Sequence, residues 1–229
     1  YLVSGSRVGS LAYASAAFAP VVIKVGKVYS QFGKFWDNSF YGNAQEYDGL
    51  KLDPNHGVSV EGSVGEKEQF GLGFALQYFI IDGTTNYALP LRDTHTIPGA
   101  HRRNQVVGRV APFINLSETM KLTVGLSGMY FEADLPIGEQ DVGRIAADAT
   151  FTAGGLGVWA EYSHQFGRHV TDFPFEGSIE DDIPGRSSDS NHYVMVGGEY
   201  TMDWFTVRYN FNMGDYSEVD YKETRHVPG

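Results

Sequence analysis

Phe70–Asp82 reads FGLGFALQYFIID. Its alternate residues are Phe70, Leu72, Phe74, Leu76, Tyr78 and Ile80. Between them stand Gly71, Gly73, Ala75, Gln77, Phe79 and Ile81. Successive side chains of a strand point to opposite faces, so one face is a continuous apolar and aromatic stripe. Soluble strands average about 5–6 residues, whereas a tilted strand of about 9–11 crosses a bilayer. This stretch has the longer measure.

The same pattern recurs along the chain. Working outward, strands are expected at Leu2–Phe18, Ile23–Phe32, Gly57–Val64, Val106–Asn115, Lys121–Phe131, Gly143–Ala153, Leu156–Phe166, His192–Thr201 and Trp204–Met213. With Phe70–Asp82 they make ten. Pro112 inside its strand calls for an unpaired or bulged site. Lys24 and Lys27 fall on opposite faces of theirs, which a bulge or an interfacial lysine would resolve. Arg7 followed by an apolar run ending Ala17-Phe18-Ala19 has the look of a signal peptide, but a mature strand is the reading adopted.

Connections alternate in length. Short ones contain Pro20, Gly65–Gln69, Leu116–Met120, Gly154-Gly155 and Met202-Asp203. The others are Gly33–His56, Gly83–Arg103, a medium loop at Glu132–Asp141, Gly167–Asn191 and a polar tail, Gly214–Gly229. In an antiparallel meander, alternate connections lie at the same end, so all the short turns share one end. Short periplasmic turns opposite long external loops mark a transmembrane up-and-down β-barrel. Tyr78 and Tyr130 fall near the long-loop end, Phe70 and Phe205 near the turns, as aromatic girdles require. A soluble sandwich also alternates, but with shorter strands and less one-sided loops.

Composition agrees. The chain has 229 residues, a formal charge of −11, 28 glycines, 14% aromatics and no cysteine. Its mean hydropathy is −0.25. No run of about 18 apolar residues is present, which excludes spanning helices but not a barrel, whose faces average to polar. The acidic charge argues against nucleic acid as a partner.

Opposite the apolar stripes stand Glu61, Gln77, Arg109, Arg144, Asp148, Glu161, Glu199 and Arg208, the candidate pore-lining residues. On the lipid face each charge would cost about 2–4 kcal/mol near the midplane. Lys121, beside a turn, belongs at the rim. The arginines could form an anion ladder, or pair with carboxylates on neighbouring strands and stiffen the wall.

No catalytic site, metal site or cofactor is expected. The seven histidines are dispersed without HExxH. His101-Arg102-Arg103 could attract anions but reads as a solvated loop. Glu180, Asp181 and Asp182 lack the spacing of a calcium loop. The glycine pairs open no helix, so phosphate-loop readings fail. The chain is therefore expected not to be an enzyme, although a barrel hydrolase would need only a single activated nucleophile.

IKVGKVYSQFGKFWDNSFYG and YDGLKLDPNHGVSVEG, within Ile23–Gly62, resemble Gram-negative outer-membrane porins, above all the phosphate-selective and related substrate-specific ones. The resemblance implies passive diffusion of small hydrophilic solutes or ions, contact with outer-membrane lipid and lipopolysaccharide, and a homotrimer. It also implies a loop folded inward as a constriction, Gly33–His56 or Gly167–Asn191, making Trp36, Asp37, Arg102, Arg103, Glu180, Asp181 and Asp182 candidate constriction residues. Such porins have about sixteen strands and end on a terminal aromatic strand. Residues 1–229 are therefore expected to be one barrel domain, and a segment of a longer chain. The alternatives are a barrel that sheathes a partner in electron transfer or secretion, and an outer-membrane barrel enzyme.

Overall fold

A computed structural model describes residues 12–34, 55–81, 86–88, 96–98, 101–135, 138–166, 190–216 and 221–228. They form β1 (Ala12–Phe18), β2 (Val21–Val28), β3 (Asn55–Val64), β4 (Phe70–Ile81), β5 (Asn86–Ala88), β6 (Thr96–Pro98) and β7 (His101–Asn115). There follow β8 (Met120–Leu135), β9 (Gly138–Ala153), β10 (Leu156–Phe166), β11 (Ser190–Met202), β12 (Phe205–Tyr216) and β13 (Tyr221–Pro228). Eleven strands make one sheet in chain order, β1-β2-β3-β4-β7-β8-β9-β10-β11-β12-β13, with β5 and β6 paired separately. Every pairing is antiparallel. This is the all-β, up-and-down arrangement expected.

The ten expected strands are all represented, the first by Ala12–Phe18 with residues 2–11 outside the described ones, and with four corrections. The expected second strand leaves the sheet after Val28, because the next residues turn inward (below). The supposed loop Glu132–Asp141 is mostly strand: β8 and β9 pair out to Leu135↔Gly138, each 16 residues long. His101, Arg102 and Arg103 begin β7, where Arg103 stands opposite Glu132 rather than in a solvated loop. The polar tail extends β12 and supplies β13, whose Tyr221 pairs with Tyr216. The polar ends of β7, β8 and β9 share a cause: they carry no apolar alternation, because they project beyond the apolar band.

The faces separate as alternation requires. On β4, Leu76 is 61% exposed and Ile80 62%, whereas Gln77 is 2% and Phe79 1%. Val110, Leu126, Ile145, Val158, Val196 and Val207 continue the exposed apolar band across six further strands. Facing inward are Ser59, Gln105, Ser127, Arg144, Asp148, Glu161 and Asn210, all buried. An apolar outside, with charged and amide side chains standing among apolar ones inside, is the reverse of a soluble core, and it is the sidedness of an outer-membrane barrel wall. No helix among the described residues is long and apolar enough to cross a membrane.

Irregularities sit where the sequence demands them. Ala111 and Pro112 have no partners on β8, while Pro112 still stands opposite Leu72 on β4. Register slips between Arg103 and Val106, where Asn104 adopts φ 52°. Asn is among the residues that tolerate this region. Alternation on β2 runs unbroken: Lys24 pairs with Glu61 on the inner face, and Lys27 occupies the other face near the loop end.

If this band meets lipid, Leu76→Arg should destabilise the protein by about 2–4 kcal/mol when refolded into phospholipid vesicles. Urea titration of tryptophan fluorescence measures it. An unchanged midpoint would place that face elsewhere.

Candidate functional site

The inner face is organised by a short segment that follows β2. Tyr29–Lys34 lies against the inside of the sheet, with Phe32 fully buried and Ser30 nearly so. Three side chains hold its backbone. The Gln77 amide on β4 accepts from the Gln31 N–H at 2.6 Å and donates to the Tyr29 carbonyl at 3.0 Å. That amide also donates to Ser59 Oγ at 2.9 Å. The Ser127 hydroxyl on β8 accepts from the Gly33 N–H at 3.0 Å. The Glu161 carboxylate on β10 accepts from the Lys34 N–H. Gln77 thus offers one acceptor and one donor, as a neighbouring strand would.

Gly33 permits the close approach. Its φ is +59°, and a Cβ there would fall 2.4 Å from Glu161 Oε1. Beyond it, the Lys34 ammonium lies 5.0 Å from the centre of the Trp159 ring. This cation–π geometry is favourable where water is partly excluded. Burial lowers the Lys34 pKa, opposed by the charges of Asp148, Glu199 and Glu161 and reinforced by Arg109. Lys34 therefore sits in the joint field of four inner-face charges.

Each candidate lining residue has a definite place. Arg109 on β7 reaches over β8 to Asp148 on β9, with Nη1–Oδ2 at 2.6 Å and Nη2–Oδ1 at 2.9 Å, and also donates to Ser127 at 2.9 Å. A bidentate pair of this kind is a strong charge-assisted contact. Gly125 makes it possible: a Cβ there would stand 2.3 Å from Asp148 Oδ2 and 2.4 Å from Arg109 Nη2. Arg208 and Glu199 are direct cross-strand partners, with Nη2–Oε2 at 2.6 Å. Glu61 pairs with Lys24. Arg144 is buried, 5.3 Å from the Phe131 ring centre. Lys121 lies 3.8 Å over Phe113 beside the short turn. Of the two arrangements open to the arginines, Arg109 and Arg208 adopt pairing with carboxylates.

The constriction candidates divide. Trp36, Asp37, Glu180, Asp181 and Asp182 lie outside the described residues. So do Gly167–Asp189 and all but the ends of Gly33–His56. Arg102 and Arg103 are strand residues of β7, and Arg103 lies 3.9 Å from Glu132 Oε2. Sequence reasoning missed the inward turn before Gly33, and with it Phe32, Ser127 and Lys34. Gln31-Phe32-Gly33-Lys34 breaks the outward apolar alternation, which is the available signal.

A second interior tie repeats the glycine device. Trp159 on β10 donates across β11 to Asn210 Oδ1 on β12, at 3.0 Å. Gly197, opposite both residues, would place a Cβ 2.0 Å from Asn210 Oδ1 and 2.5 Å from Trp159 Nε1. Below the Tyr29–Lys34 segment, a cavity of about 960 Å³ opens at the short-turn end. Gln31, Glu61 and Arg109 line its inner part, and Pro20 and Gly65–Glu68 its mouth.

No protein-family model and no curated protein matches this chain. Among solved structures it is similar to OmpTdeltaL8, a loop L8 deletion mutant of OmpT, an outer membrane protein of Vibrio cholerae. Identity is 15% and the TM-score 0.47, covering 94% of this chain. The chain spans 60% of the length of that solved chain. The expectation that the chain is not an enzyme does not stand. An outer-membrane barrel wall can host transport or catalysis alike. The missing catalytic motif therefore does not decide the matter, and the exclusion is withdrawn.

The side-chain grip on the segment is testable with Ser30→Cys. A water-soluble maleimide should label this buried position slowly, and about 10-fold faster once Gln77→Ala removes two bonds together worth roughly 1–3 kcal/mol. Equal labelling rates would show that Gln77 does not hold the segment.

Proposed function

We propose that this chain forms the wall of an outer-membrane diffusion pore for small hydrophilic solutes or ions, narrowed from within by Tyr29–Lys34. The observation that carries the reading is the polar inner face. Its charges are partnered, its bonds converge on an inward segment, and a cavity of about 960 Å³ leads to that segment from the short-turn end. An aqueous passage requires a wall whose charges stay put while solute passes. Pairs such as Arg109–Asp148 and Arg208–Glu199 meet that need. Lys34 at the narrowing, surrounded by Asp148, Glu161 and Glu199, is the residue best placed to set ion preference. The segment Gln31–Lys34 lies within the stretch that resembles the phosphate-selective and substrate-specific porins, which supports the same reading.

Planar-bilayer recording tests it. Stable ohmic steps are expected from the refolded protein. In a salt gradient, Lys34→Glu should move the reversal potential toward cation preference, and Phe32→Ala should raise the unit conductance. Absence of conductance from protein with intact strand circular dichroism would overturn the pore. A Lys34→Glu potential equal to the parent's would remove Lys34 from the passage.

A further inference from the structure

The cavity at the short-turn end has a floor of small side chains. Ala75 on β4 is in register with Glu61 on β3 and with Arg109 on β7, so the three stand in one row across the inner face. One step nearer the turns, Ser63, Gly73 and Ala111 make the next row. Two strand spacings, about 10 Å, separate the backbones of Glu61 and Arg109. Gln31 lines the same inner part of the cavity.

Each of the two charges is held by a partner, and in each pair one member faces the cavity. Glu61 pairs with Lys24, but only Glu61 lines the space. Arg109 pairs with Asp148, whose side chain is 2% exposed against 16% for Arg109. The cavity therefore meets a carboxylate on its β3 side and a guanidinium on its β7 side. Both keep bonding capacity. Arg109 commits three N–H groups, two to Asp148 and one to Ser127, and a guanidinium carries about five. Glu61 receives Lys24 and, at 3.5 Å, the Ser59 hydroxyl, whereas a carboxylate offers roughly four acceptor sites. The Gln31 N–H goes to Gln77, and no bond among the described residues engages its carboxamide.

We propose that this cavity binds a small zwitterion, an amino acid or a dipeptide, with the ligand ammonium at Glu61 and its carboxylate at Arg109 and Gln31. Its volume of about 960 Å³ is that of a small-molecule site. Opposed fixed charges reward a solute that carries both signs, and they give a solute of one sign a repulsive neighbour. The small floor leaves room for the body of the ligand between its charged ends. As a station on a passage the site rests on the pore reading; as a binding site it is measured without it.

Saturation-transfer NMR on the full chain, refolded in detergent micelles, compares L-alanine, alanyl-alanine, N-acetylated alanyl-alanine and the amide of alanyl-alanine. Both zwitterions should bind, the tighter one identifying the length the site takes. Each capped form should bind about 10-fold more weakly than alanyl-alanine, having lost one charge-assisted contact. Glu61→Gln should weaken alanyl-alanine about 10-fold and leave the N-acetylated form no weaker, a split that a merely structural role does not produce. Gly73→Val should fill the floor and weaken every ligand; a Cβ there meets only Ala111, at 3.6 and 3.7 Å. Should either variant fail to fold, the capped ligands on the parent protein decide alone. Equal binding of zwitterion and capped forms, or no binding of any, would overturn the site. Zwitterion binding by a protein that passes no current would keep the site and remove the pore, and current without binding would do the reverse.

Discussion

In hydrocarbon, a backbone N–H or C=O without a partner costs several kilocalories per mole. That constraint governs this sheet. Each interior strand gives both edges to its neighbours, and chain order equals spatial order throughout. Because side chains alternate, satisfying the backbone also sorts them. Leu76 and Ile80 must point to one side once Gln77 and Phe79 point to the other. A one-residue slip would turn Gln77, Arg109, Asp148 and Glu161 toward lipid, so register is fixed with great force. At one of its two slips, Asn104, the irregular residue falls in the polar belt, hydrogen-bonded to Tyr78 and Glu132; the other lies between His56 and Gly57 on β3.

Within the wall, glycine works by making room. Gly125 and Gly197 lie in central strands, where glycine is ordinarily a weakness. Each opens a window through which a long side chain passes over an intervening strand. Arg109 meets Asp148 through one, and Trp159 meets Asn210 through the other. Neighbouring strands are about 4.8 Å apart, so these ties bridge about twice that distance. They brace the sheet against shear in a way that cross-strand pairs such as Arg208–Glu199 do not.

Much of this was legible in the residues. The strand set followed from period-two apolar stripes, and the inward charges from their placement opposite those stripes. Leu156–Phe166 matches its observed strand residue for residue. Legibility failed where the stripe ends. Glu132–Leu135 and Gly138–Asp141 are strands with polar sequences, and outside lipid a strand needs no apolar face; Tyr221–Pro228 is a strand whose sequence shows no apolar stripe. It failed again at Tyr29–Lys34, whose conformation is dictated by Gln77, Ser127 and Glu161. Those residues are distant in sequence, and no local pattern announces such contacts. The partner of a charge was harder to read than its face: Arg109 reaches across β8 to Asp148, past Gly125, which has no side chain.

The grip on Tyr29–Lys34 also orders events in time. Its four anchoring bonds, from three side chains, span 46, 48, 94 and 127 residues of chain. None can form before the later partner exists in its strand, and the last requires β10. Chain-closure entropy rises with each such span, and contacts of this separation slow folding. The wall between β4 and β10 must therefore be assembled while its interior is still unfilled. The bonds that hold the inward segment form late, after the strands that supply Ser127 and Glu161 are in place.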